Sequence, residues 1–156
     1  MIQVMKKSFI YFFFLMLFIN LSQDIYHYYN KEKKMIVFPV KTQKENSAVS
    51  PLFGKAKYFA FFDGEKLDIE ANPYNKGSML IDWFLSKGIE ELIIKEMGIK
   101  PFNKVKNTKI KVLYAGDDRV TINEVIEKYK NKSLKILNEE ELLAIVKNHK
   151  GAKSHS

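Results

Sequence analysis

Apolar and polar positions alternate along the chain with a period that switches repeatedly between strand and helix. Residues 35–40 (Met-Ile-Val-Phe-Pro-Val) form a continuous apolar run with β-branched members, which predicts a strand buried on both faces and central in a sheet. Pro39 cannot donate to a ladder, so it is expected near the strand's end, with the polar residues 41–47 forming a loop. Residues 57–62 and 66–71 predict two antiparallel strands joined by Asp63-Gly64-Glu65, whose Asp-Gly pair favours a hairpin. Asn72-Pro73-Tyr74-Asn75 breaks the sheet, and residues 76–87 read as a helix closed by Gly88. Met79, Leu80, Trp83 and Phe84 share one face of that helix, a spacing that fits packing on a sheet far better than a cofactor box.

Further along, residues 91–95 predict a short strand, 101–106 a helix begun by proline in its first turn, and 109–115 another strand. Thr121-Ile122-Asn123-Glu124 is a capping-box sequence opening a helix with Ile122, Val125, Ile126 and Tyr129 inward. Asn138 with Glu141 opens a last helix that packs Leu142, Ile145 and Val146. Parallel-type strands alternating with helices after an initial hairpin predict an α/β domain of three layers. Its core is a mixed sheet of about five strands with helices on both faces.

The first thirty-four residues follow a different pattern. Residues 9–19 are unbroken apolar and follow Lys6 and Lys7, as in the charged and apolar parts of a signal peptide, yet no small-x-small cleavage site follows. Even extended through Leu21 the run falls short of the ~18 to 20 apolar residues that cross a bilayer, although Tyr26, Tyr28 and Tyr29 suit an interface. A signal anchor remains open, with Lys6 and Lys7 holding the N-terminus in the cytoplasm. So does a start of translation at Met35, because Lys31-Glu32-Lys33-Lys34 can be encoded by a purine-rich ribosome-binding stretch at the normal distance before that codon. A start at Met35 implies a cytoplasmic protein; a genuine leader implies a membrane-anchored one, and only residues 6–29 would bring a membrane into play. The expected division is a leader over 1–34, one domain over 35–149 and a flexible tail over 150–156.

Composition narrows the chemistry. With 46% apolar and 28% charged residues the 156-residue chain folds, and its length fits one core. The formal charge is +8, but five leader lysines against two leader acids leave about +5 on the body, scattered among carboxylates. One arginine, Arg119, among 26 basic residues argues against nucleic-acid readout, which relies on bidentate arginine. There is no cysteine, and the body has no histidine before His149, so permanent thiolate or imidazole ligation of a metal has no donors there. His27, His149 and His155 lie in the leader or towards the tail and are expected to be idle. Asp117-Asp118 reads as a solvated turn, and Glu139 to Glu141 as acids at a helix start. No P-loop, dinucleotide glycine fingerprint or nucleophile with a histidine base occurs in the body, so no catalytic residue is assigned and the chain is read as a non-enzyme.

Taken in order, these residues resemble the dinitrogenase iron-molybdenum cofactor biosynthesis family, also called nitrogenase accessory factor-like domains. The matching pieces are residues 35–40, then Val49-Ser50-Pro51-Leu52-Phe53-Gly54-Lys55-Ala56 leading into Tyr58-Phe59, and Asn72-Pro73. Lys87-Gly88-Ile89, Leu92-Ile93-Ile94, Met97-Gly98 with Pro101-Phe102, Lys109-Ile110-Lys111-Val112 and the helix over 121–129 complete the series. The resemblance implies a ribonuclease-H-like fold and a carrier protein. Its cargo would be an iron-molybdenum or iron-sulfur cluster, or a precursor, bound transiently and without turnover, with cluster-assembly proteins as partners. The nuclease chemistry of that fold needs an acid on the central strand, and residues 35–40 carry none.

Cofactor-binding candidates are Ser50, Pro51, Leu52, Phe53, Gly54 and Lys55, in the loop after the central strand where open α/β sheets bind ligands, with Met97 and Gly98 forming an opposite wall. The structural alternatives are a turn in which Phe53 plugs the core, and a plain β-α turn at Met97. Leu52 stands where the family commonly has histidine. Together with the missing cysteines it supports a second function, a regulatory or protein-interaction domain of the same fold that has lost metal binding.

Overall fold

The computed structural model describes residues 2–29 and 34–153, with side chains over 6–25 and 34–148. It divides into two units, Met1–Lys33 and Lys34–Ser156. In the first, α1 (Ile2–Tyr29) is a single helix of 28 residues whose described side chains are all exposed. Lys6–Ile25, 20 residues, is long and apolar enough to cross a membrane by length and composition, which corrects the shorter span expected from residues 9–19 alone. Asn20, Ser22 and Gln23 end the apolar run without ending the helix. Ser22 Oγ donates to the Ile19 carbonyl at 2.8 Å, satisfying its hydroxyl within the helix. The side chains of Tyr26, His27, Tyr28 and Tyr29 lie outside the described residues, as do residues 30–33.

The second unit is a six-stranded mixed sheet covered by helices on both faces. Its strands are β1 (Ile36–Val40), β2 (Tyr58–Phe62), β3 (Leu67–Ala71), β4 (Glu91–Ile94), β5 (Lys111–Tyr114) and β6 (Lys135–Ile136), in the order β3-β2-β1-β4-β5-β6. β1 pairs antiparallel with β2 and parallel with β4; β4 and β5 are parallel, and β3 and β6 are antiparallel edges. The helices are α2 (Gly77–Ser86), α3 (Ile99–Val105), α4 (Ile122–Lys130) and α5 (Glu139–Lys153).

Strand alternation sorts the core into two layers. Val37, Phe59, Phe61, Leu92, Ile94 and Val112 face α2, α3 and α5, whereas Ile36, Phe38, Ala60, Phe62, Ile93 and Leu113 face α4. The apolar run of β1 is buried on both faces as its composition predicts. On α2 the buried residues are Leu80, Ile81 and Phe84, while Met79 is 40% exposed. Ile81 therefore takes the place expected for Met79, which lies at the margin of the stripe. Glu91, buried at the start of β4, pairs with Lys34 at 3.5 Å. It also accepts a hydrogen bond from Tyr129 of α4, whose hydroxyl is pushed above its ordinary pKa first by burial and then by that bond.

Differences from the sequence reading are local. β6 was not expected: it has two residues, both exposed, and pairs only Ile136 with Leu113 and Lys135 with Tyr114. α5 continues to Lys153, into the segment expected as a tail, while residues 154–156 and the side chains of His149 and His155 lie outside the described residues. Pro39 is penultimate in β1, and its carbonyl accepts from Ser50 N–H at 2.8 Å. A strand residue's N–H and C=O point the same way, so the donor that proline lacks faces Ser50 and no β2 partner is deprived. At the outer edge, β3 carries Asp68 exposed and Glu70 paired with Lys87 at 2.6 Å.

Candidate functional site

The loop after β1 is held at both ends. Val49 bridges Val40, and the Ser50 hydroxyl accepts from Leu52 N–H at 3.2 Å and lies 3.3 Å from the Leu52 carbonyl, closing a tight turn around Pro51. At the far end, Asn72 Nδ2 donates to the Ala56 carbonyl at 2.8 Å while Asn72 Oδ1 accepts from Tyr74 N–H at 2.9 Å. The Asn72-Pro73 turn thereby ties the end of the loop to the approach of α2. Between these anchors Phe53, 2% exposed, meets Phe59 and Phe84 edge-on at centroid distances of 6.0 and 6.1 Å. Phe53 is thus the core plug, and it also floors what lies above it.

Above it is an open cleft of about 630 Å³ at the carboxyl ends of β1 and β4, where the chain leaves the two strands in opposite directions. Leu52, Phe53, Gly54 and Lys55 form one wall, and Met97 with Gly98 stands across from them. Six of the eight expected residues therefore meet around one space. Ser50 and Pro51 are not on the lining; Ser50 is buried and shapes the turn that presents Leu52. A third wall was not expected: Asn75, Lys76, Gly77 and Ser78 from the start of α2, continued by Ile99, Lys100 and Pro101 at the start of α3. The available signal was a glycine opening a predicted helix directly after an Asn-Pro turn.

The rim is cationic. Lys55, Lys76 and Lys100 are exposed and in no ion pair among the described residues, and Glu96 is the one acid on the lining. Lys76 is the N-cap of α2 and makes no side-chain cap, so the first amides of this ten-residue helix are left to neighbours or solvent. The floor is apolar, with Phe53, Met97 and Pro101 buried. Of the lining residues only Met97 carries sulfur, a thioether, and no group of three His, Cys, Asp or Glu residues able to hold a metal occurs among the described residues. A metal centre that needs bonds from the protein does not fit this donor set. An anion whose metal is already saturated by its own ligands does, held by ammonium groups and amides.

Asp117 and Asp118 lie elsewhere and build a turn. Tyr114 donates its hydroxyl to the Asp117 carboxylate, and Lys95 Nζ donates to the backbone carbonyls of both aspartates. Burial first, and then Asp117, push the Tyr114 hydroxyl up to about 12.

Fold and cleft together define a three-layer α/β domain with an open cleft at the carboxyl ends of its central strands. The chain belongs to the dinitrogenase iron-molybdenum cofactor family, which matches over residues 34–132 and connects it with the cofactor of that enzyme. Among solved structures it is similar to a Thermotoga protein provisionally described as NifB and assigned to the DUF35 family, with 25% identity and a TM-score of 0.57. That match covers 67% of this chain and 93% of the other. The apo form of the orange protein from Desulfovibrio gigas shares the fold at 17% identity and a TM-score of 0.56, over 67% of this chain and 92% of the other. No curated protein matches the chain significantly.

Proposed function

We propose that this protein is a non-catalytic carrier that holds an iron-molybdenum or iron-sulfur type cluster, or a precursor of one, during cofactor assembly. The cargo sits in the cleft between the Leu52–Lys55 wall, the start of α2 and Met97-Gly98. One observation carries the reading: three lysines, in no ion pair among the described residues, surround an apolar floor whose lining offers no thiolate or imidazole. Such a site attracts a polyanion and forms no bond to its metal, so release is easy and no chemistry is done on the guest. A sulfide-covered anion is less strongly hydrated than an oxyanion and loses less on meeting Phe53, Met97 and Pro101. Partners would be the proteins that supply and receive the cluster. With translation starting at Met35 the carrier is cytoplasmic; with α1 retained as an anchor it is held at a membrane.

The test is anaerobic incubation of the purified protein with tetrathiomolybdate or with molybdate, followed by size exclusion and molybdenum analysis. Near-equimolar co-elution is expected for the thio-anion only, weakening as salt is raised. The triple variant Lys55→Ala, Lys76→Ala, Lys100→Ala should lose at least about tenfold in affinity, the scale of a few charge-assisted contacts. Failure of the wild-type protein to retain the thio-anion refutes carriage. It would favour the second reading, an interaction or regulatory domain, for which Leu52, apolar and 42% exposed at the cleft's lip, is the supporting observation.

A further inference from the structure

Gly77 opens α2, yet its backbone does not demand glycine. It lies in the helix and outside the positive-φ glycines, which are Gly64, Gly88 and Gly116 among the described residues. Alanine is the better helix former there, so local preference alone would favour a side chain. Contact forbids it. A Cβ on Gly77 would stand 3.2 Å from Pro101 Cγ and 3.3 Å from the Cα of Gly54, and a Cβ on Gly54 would stand 3.4 Å from the Cα of Gly77. One neighbour is a closed ring and the other is backbone, so neither can swing aside as a flexible side chain does.

These three residues come from the three segments that carry the lysines, the β1 loop and the starts of α2 and α3, and each is next in sequence to one of them. Gly54 precedes Lys55, Gly77 follows Lys76, and Pro101 follows Lys100. We infer that Gly77 is the positioning residue of the site: its bare Cα lets the β1 loop, α2 and α3 close on one another, and so sets the spacing of the three lysines that face the cargo. The inference rests on the carrier reading and names what makes the lysines act as one cation cluster. Forcing the walls apart by a few tenths of an ångström moves all three attachment points at once.

The experiment measures equilibrium dialysis of tetrathiomolybdate, without oxygen, against the full chain and four variants, with thermal midpoints recorded in parallel. Gly77→Ala is expected to lose roughly tenfold in affinity, the scale of a site whose support is displaced, while keeping a cooperative melt. Gly54→Ala, with the looser contact, should lose less, and that milder variant carries the test if Gly77→Ala does not fold. Pro101→Ala removes the ring carbon that a Cβ on Gly77 would strike. The double variant Gly77→Ala, Pro101→Ala should therefore bind better than Gly77→Ala alone, although it carries one more substitution in the core. A purely structural role for Gly77 predicts the reverse, because two destabilising changes would compound. Equal binding by Gly77→Ala and wild type, a larger loss in Gly54→Ala than in Gly77→Ala, or a double variant weaker than Gly77→Ala overturns the inference. A wild-type chain that retains no thio-anion overturns the carrier reading itself, and this inference with it.

Discussion

Phe53 and Gly54 are neighbours with opposite duties. The sequence posed core plug and ligand loop as alternatives; the structure makes Phe53 the plug and puts Gly54 on the cleft lining, because a turn that inserts one side chain downward presents the next backbone unit upward. Phe53→Ala removes a ring that touches Phe59 and Phe84, and should cost about 3–5 kcal/mol of stability, read as a fall in the urea midpoint. The loop was legible because Pro51 and Gly54 interrupt apolar residues just after a central strand. Lys76 to Ser78 were not, since a helix start is brought to that loop only by tertiary packing, and Gly77 looks like an ordinary weak helix former until the contact with Pro101 is seen. Met79 shows the same limit at finer grain: the periodicity gave a stripe, but only packing decided which margin of it was covered.

At the scale of elements, capping was the most readable feature. Thr121 donates its backbone N–H to Glu124 at 2.7 Å, and Asn138 and Glu141 cap each other reciprocally at 3.0 and 2.9 Å. These bonds hold both carboxyls below the ordinary carboxylate range. Glu124 is held down first by the Thr121 backbone bond, and Glu141 first by its bond from Lys135. A carboxyl whose folded pKa is depressed contributes stability that is fully present above its unfolded value of 4.5 and is lost as pH falls through the lower folded value. Glu124→Gln and Glu141→Gln should therefore melt below wild type at neutral pH, with the gap shrinking as pH drops under 4.5; a gap independent of pH would contradict the stabilising role of the two charges. β6 was illegible because two exposed residues show no alternation. Its place comes from pairing with β5 and from Leu137 N–H, which donates to the Val112 carbonyl at 2.8 Å.

For the molecule as a whole, the β-α alternation that announces a mixed three-layer sheet is a local pattern repeated, which is why architecture was easier to read than the composition of the cleft. The body closes two core layers from residues 36–146. A chain that lacks residues 1–33 but keeps Lys34, the partner of buried Glu91, is expected to keep the thermal midpoint of the full chain, and a lowered midpoint would show that the leader takes part in folding. The margins of the sheet carry a consequence of their own. One ends on acids, Asp68 and Glu70, and the other on a strand of two residues, so neither offers a long bare ladder to a passing copy. Crowded together, these molecules meet charge along one margin and a very short strand along the other, which discourages accretion into ribbons.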